Sequence, residues 1–509
     1  MTTTNTSTTE QPAEEQSASK TDAKKAPEPR SVTTSHQIVI GGEPVAYRAT
    51  AGWLIVNDAE GQPAAQIGYT AYEREQTADQ GTRPVTFAYN GGPGSSSVWL
   101  HMGILGPRRI EVADADFTLP PPYAVVDNAE SIIDISDLVL IDPVGTGLSK
   151  PVGEKKGQEF WGVDQDITWM ARFITTWVSA YSRWNAPKIL LGESYGGIRS
   201  AGVAWELLSK HGMALNGVVL VSPFLSFVDG FDFANVDLPH VLFLPSLAAA
   251  AWYHHKLAAR PDNLVAFLDE VKTFAYQEYA PALLQGRRLS AEARTAVLTK
   301  LAHYTGVDPD YWERANLRVN HLQFAKELLR DRRQATGRID ARFVGPSIHL
   351  LGEQMNYDPL SAAVTPAFTA AFLNYYHTEL QFGRDMEYCI VNTSLYMDWE
   401  WRHTSPGQVG IAATLKLPVV NMGPDLAWAM TQNPHMKLLV QIGYFDLATP
   451  LGAIEYAIDH LNIPPDLQAN ITVAYYEAGH MAYIHPPSRA KFKQDLVRFI
   501  QDATVRSPA

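Results

Sequence analysis

The sequence predicts an α/β fold: a mostly parallel sheet flanked by helices, interrupted by a mainly helical insertion. Three observations carry this. The runs "PVTFAY", "DLVLIDP", "KILLG" and "GVVLVSP" are short and apolar throughout, as strands buried on both faces of a parallel sheet are. Between the second and third lies "QDITWMARFITTWVSAYSRW". Its Ile167, Met170, Ile174, Trp177 and Tyr181 fall on one helical face. The same alternation returns near the C-terminus as "KLLVQIGYFD", "LGAIEYAIDHL", "ITVAYYEAGH" and "SRAKFKQDLVRFIQDA".

Residues 1–35 are mostly Thr, Ser, Glu, Lys, Ala and Pro, without an apolar block. They read as a disordered polar tail rather than a signal peptide, which needs about 7–15 apolar residues in a row. Order is expected from His36. There "HQIVI", "PVAYRATAGWLIV" and "AAQIGYTAYE" read as antiparallel strands at a sheet edge. Residues 36–227 form the first part of the core. Residues 228–416 carry helical segments such as "DNLVAFLDEVKTFAYQEYAPALLQ" and form the insertion, and residues 417–509 complete the core.

The formal charge of −13 argues against a nucleic-acid surface, which needs clustered Lys and Arg. The longest apolar stretch, "VLFLPSLAAAAWY", is too short for a membrane span and contains Pro245. A cytoplasmic protein is expected. The single cysteine, Cys389 in "MEYCIVN", is expected as a buried apolar residue. There is no HExxH, no Cys–His cluster and no phosphate-binding loop, so no metal or organic cofactor is expected.

Sites on open α/β sheets form beyond the carboxyl ends of the strands. After "KILL" comes "GESYGG", a G-x-S-x-G pattern placing Ser194 between a strand and a helix. The pattern alone would occur by chance about 0.1–0.2 times in such a chain. A tight turn with an exposed serine would look the same, so the context matters. After "LLVQIGYF" comes Asp446, and after "ITVAYYEAG" comes His480. A serine, an acid and a histidine therefore follow three separate strands, in the chain order of α/β-hydrolases. The serine needs a base in reach, the histidine supplies it, and the carboxylate fixes the imidazole tautomer. The amide of Tyr195 and the glycines after "PVTFAY" can donate to a developing oxyanion.

Together "NGGPGSSS", "IDPVGTGLS", "GESYGG" and "AGHM" resemble the serine carboxypeptidases, S10-type peptidases of the α/β-hydrolase fold. The resemblance covers about residues 85–227 and 437–484. It implies Ser194 as nucleophile, Asp446 as triad acid and His480 as base, with Gly92 and Tyr195 giving the oxyanion amides. It further implies that Asn90, Gly91 and Glu193 bind the terminal carboxylate of a peptide substrate, beneath a helical cap. Ser95 stands where the family usually has a cysteine, and Ile104 where it has a second glutamate. The expected activity is release of C-terminal residues through an acyl-enzyme. An esterase or acyltransferase on the same scaffold, or a non-catalytic peptide-binding module, are the alternatives.

Overall fold

The computed structural model describes residues 28–75, 81–410 and 420–505. Nine strands make the main sheet: β1 Arg30–Ile40, β2 Glu43–Asn57, β3 Pro63–Arg74, β4 Val85–Tyr89, β5 Asp137–Ile141, β6 Lys188–Glu193, β7 Gly217–Val221, β8 Lys437–Gly443 and β9 Ile471–Tyr476. They lie in the order β1-β2-β3-β5-β4-β6-β7-β8-β9, with Lys150–Pro151 pairing briefly beside β3. The first three are antiparallel, and β3 meets β5 antiparallel. From β5 to β9 every pairing is parallel. The strands that follow the insertion, β8 and β9, extend the sheet beyond β7, so neither half of the chain makes the sheet alone.

The parallel strands read as continuous apolar runs because both faces are covered. Leu190, Val218, Leu220 and Val440 point into one apolar cluster, with Phe173, Trp177 and Ile198 from the helices α1 Val163–Ala180 and α2 Gly196–His211. Their neighbours Ile189, Leu191, Val219 and Leu439 point into a second cluster. The period of two along each strand separates the two sets.

The insertion divides between these faces. Helix α3 Leu238–Tyr253 and the helices up to residue 329 join the first cluster. Helix α4 Pro359–Thr378 joins the second, where Phe368, Phe372 and Tyr375 pack with Phe492 and Leu496 of the last helix, α5 Pro486–Thr504. Among the described residues no helix is long and apolar enough to cross a membrane.

Two expectations need correction. Order starts before His36: β1 begins at Arg30, and Arg30 to Ser35 pair with β2 from Trp53 back to Arg48. An edge strand needs only one neighbour and no apolar face on its open side, so "RSVTTS" looks like tail until its partner is known. The remainder of the tail, residues 1–27, lies outside the described residues. Cys389 is half-buried rather than buried, because its backbone pairs with Gly147 at a loop crossing.

Candidate active site

The parallel register brings the ends of β4, β6, β7 and β8 to one level. Tyr89 pairs with Gly192, Glu193 with Val221, and Val221 with Gln441. The residues that follow each strand therefore emerge side by side.

Ser194 occupies the corner between β6 and α2 with φ +62°, the left-handed region that a side chain rarely adopts. The corner is held by backbone bonds. The Ser194 N–H donates to Val221 O at 3.0 Å, while the Ser194 carbonyl accepts from Gly197 N at 2.8 Å and from Phe224 N at 2.9 Å. Close approach of strand and helix demands the glycine before it. A Cβ on Gly192 would lie 2.2 Å from the Gly196 carbonyl oxygen. This is the geometry of a nucleophile elbow.

Asp446 and His480 come from the loops after β8 and β9. His480 Nδ1 donates to Asp446 Oδ2 at 2.6 Å. Asp446 is fully buried and also accepts from Ala448 N at 2.7 Å, Thr449 N at 2.9 Å and Thr449 Oγ1 at 2.7 Å. Burial alone would lower the His480 pKa. The Asp446 carboxylate, through its charge and hydrogen bond, and Glu193 together reverse this and hold it above the ordinary value. The pair Val221–Ser222 links the serine and histidine segments: Val221 O accepts from Ser194 N, and Ser222 Oγ donates to His480 O at 2.9 Å.

The loop 90–95 crosses the elbow in backbone contact. A Cβ on Gly91 would lie 2.5 Å from Tyr195 N and 2.7 Å from Glu193 O, so only glycine fits there. Asn90 is fixed from two sides. Its Oδ1 accepts from Leu100 N at 3.0 Å, and its carbonyl accepts from buried Arg199 Nη1 at 2.6 Å. Gly92, at φ +108°, continues the loop.

Glu193 is 4% exposed. Its Oε2 accepts from Tyr483 Oη at 2.8 Å, and the Asn90 side chain lies close by. Burial pushes its carboxyl up to about 7, against the opposing pull of His480, Tyr483 and Asn90. The structure thus gathers Asn90, Gly91, Gly92, Glu193, Ser194, Tyr195, Asp446 and His480 at one end of the sheet. Ile104 is fully buried, its carbonyl accepting from Asn128 Nδ2 at 2.6 Å.

Four residues of this site escape sequence reasoning. Thr449 braces Asp446. Ser222 braces the His480 backbone. Asp340, from the insertion, accepts from Gly479 N at 3.0 Å. Tyr483 holds Glu193. For Thr449 and Tyr483 the available signal was spacing, three residues after Asp446 and His480 respectively. Asp340 lies far from both in sequence and carried no signal. Among the described residues, no group of three His, Cys, Asp or Glu side chains is placed to hold a metal.

Residues 41–280 match the family model described as serine carboxypeptidase. Over that stretch, a little under half of its length, the chain resembles the serine carboxypeptidase family. Serine carboxypeptidase-like 36 of Arabidopsis thaliana is 27% identical over 194 residues, covering 36% of this chain and 37% of the relative. That match thus spans just over a third of the relative's length. Kex1(delta)p, a prohormone-processing carboxypeptidase from Saccharomyces cerevisiae, superposes with a TM-score of 0.53 at 15% identity, over 89% of this chain and 91% of its own. At that identity the likeness is one of fold, the α/β-hydrolase fold. Distinctive side chains stand near the site. Ser95, in place of the usual cysteine, accepts from Trp99 Nε1 at 2.8 Å. Trp399 and Trp401 stand edge-on to Tyr195, with ring centroids 5.5 and 6.0 Å away.

Proposed function

We propose that the protein is a serine-type carboxypeptidase that releases C-terminal residues from peptides through an acyl-enzyme on Ser194. Ser194 Oγ attacks the carbonyl carbon of the last peptide bond while His480 Nε2 takes its proton. Asp446 keeps the Nδ1–H tautomer and stabilises the imidazolium. The N–H groups of Gly92 and Tyr195 receive the oxyanion. The C–N bond then breaks, and His480 returns the proton to the departing amino group. Water, deprotonated by the same imidazole, cleaves the ester and restores Ser194.

The observation that carries this over other acyl-transfer chemistry is the Asn90–Glu193 pair directly beside the nucleophile. A buried carboxyl held up near neutrality can remain protonated and donate to a second carboxylate. An esterase has no use for such a group. The test compares an N-blocked dipeptide bearing a free C-terminus with its amide, at mildly acid pH. Strong preference for the free acid supports the reading, and equal turnover of both replaces it with the esterase. Fluorophosphonate labelling that is lost in Ser194→Ala supports the nucleophile, whereas an unlabelled parent protein would leave a non-catalytic peptide-binding module.

A further inference from the structure

Beside the nucleophile stands one polar group that the steps above do not use. Tyr483 is buried, and its hydroxyl donates to Glu193 Oε2 at 2.8 Å. The Asn90 side chain is near enough to both Glu193 and Tyr483 to influence their protonation, so three polar side chains share one dry spot. The loop that delivers His480 also delivers this hydroxyl, three residues on.

The ring is seated firmly. A Cβ on Gly103 would lie 2.4 Å from its Cε2, and Phe492 meets it edge-on at 6.3 Å. Residue 103 therefore forms a wall against the phenol ring. Burial holds the Tyr483 phenol far above its ordinary value, against only a small opposing pull from Asn90, so it stays a neutral donor across the working pH range.

Burying an acid, an amide and a phenol together costs stability unless they satisfy one another or a ligand. Within the protein the phenol's proton is spent on Glu193. An arriving carboxylate offers a better acceptor than a protonated Glu193, and a hydroxyl can rotate to it without moving the ring.

We propose that Tyr483 Oη is a donor to the terminal carboxylate of the peptide substrate, acting with Asn90 and Glu193, and that Tyr483 thereby sets the preference for a free over a blocked C-terminus. This rests on the carboxypeptidase reading above. Glu193 can donate only while protonated, whereas the phenol always can. The two together bind a carboxylate over a wider pH range than the acid alone.

The experiment is the kinetics of Tyr483→Phe on an N-blocked dipeptide and on an N-blocked amino-acid ester, which has no free carboxylate. The variant should lose about 10- to 100-fold in kcat/KM on the free acid, mostly through KM, while ester hydrolysis is retained. Equal losses on both substrates, or no loss on either, overturn the proposal. Should the variant fail to fold, the parent protein with an N-blocked amino acid bound decides. A carboxylate oxygen within hydrogen-bond distance of Tyr483 Oη supports the proposal, and a hydroxyl still pointing to Glu193 overturns it. A parent enzyme that treats acid and amide alike discards the carboxypeptidase reading itself. A parent that discriminates, with a Tyr483→Phe variant that discriminates equally, discards only the role of Tyr483.

Discussion

Asp446 Oδ2 lies 2.6 Å from His480 Nδ1, and the two residues are 0% and 5% exposed. In so dry a place the carboxylate has two effects: it selects the tautomer and raises the histidine pKa. Asp446→Asn keeps the shape and removes both. The kcat of the variant should fall about 10⁴-fold. The pH profile gives a second readout. With the carboxylate gone, burial becomes the larger influence on His480, so the acid limb of ester hydrolysis should move to lower pH even as its plateau drops. A limb that stays in place would mean the imidazole is not the titrating base.

The oxyanion site proposed above would depend on Gly91 as much as on the amides themselves. In Gly91→Ala the new methyl would meet Tyr195 N at 2.5 Å and force loop and elbow apart. One misplaced oxyanion donor costs about 10²–10³-fold in kcat. The loss should appear on ester and peptide alike, and the same backbone clash should lower the thermal unfolding temperature. A loss confined to KM for free acids would instead place Gly91 in carboxylate binding only.

Much of this site was legible because its chemistry sits at strand ends, and compact apolar runs mark those ends. The elbow around Ser194 follows from "GESYGG", and Asp446 and His480 follow from the strands before them. Other parts depend on neighbours that no local pattern reveals. Arg30 to Ser35 form a strand only because β2 is there to pair. Thr449 and Tyr483 look like ordinary loop residues until Asp446 and Glu193 are placed against them. Asp340 reaches Gly479 from the insertion. Helix α4 is apolar on most sides, so its sequence does not say which face of the sheet it will cover.

Glu193 predicts two opposing pH dependences. Its carboxyl titrates at about 7 in the folded protein, well above the ordinary 4.5. The proposed terminal-carboxylate binding needs the protonated form, so KM for free acids should rise as pH passes upward through 7. On the proposed mechanism His480 must be neutral to act, so kcat/KM on free acids should be bell-shaped, while the ester profile only rises with pH. In Glu193→Gln the alkaline limb should vanish. Stability follows the same titration. A carboxyl whose folded pKa is raised stabilises below its unfolded pKa, and that stability is lost as pH climbs through the folded one. The loss is about 3 kcal/mol between pH 4.5 and 7. Thermal unfolding of Glu193→Gln should therefore show a flatter pH dependence across that interval. Parallel curves for parent and variant would refute the raised carboxyl.

An ion triad, buried at His403 and Asp425 and partly exposed at Asp164, fastens the strap that carries Trp399 and Trp401 against Tyr195. His403 Nδ1 lies 2.6 Å from Asp164 Oδ1, and its Nε2 lies 2.9 Å from Asp425 Oδ2. Burial works to lower the His403 pKa, but the two carboxylates prevail and push it up to about 9. The sign of the linkage follows. A histidine with a raised folded pKa stabilises fully below its unfolded value near 6.5, and that stability fades as pH rises through 9. The amount at stake is about 3 kcal/mol. Near pH 6 His403→Asn leaves two carboxylates without their cation and should cost about 3–5 kcal/mol. The stability gap between parent and variant should narrow from pH 6.5 to 9.5, read by denaturant unfolding at each pH. Because the strap rests on Tyr195, next to the proposed nucleophile Ser194, the variant should also lose activity on peptide substrates before it unfolds globally. A gap that stays constant with pH would show that His403 is held neutral and that the strap is fastened by packing alone.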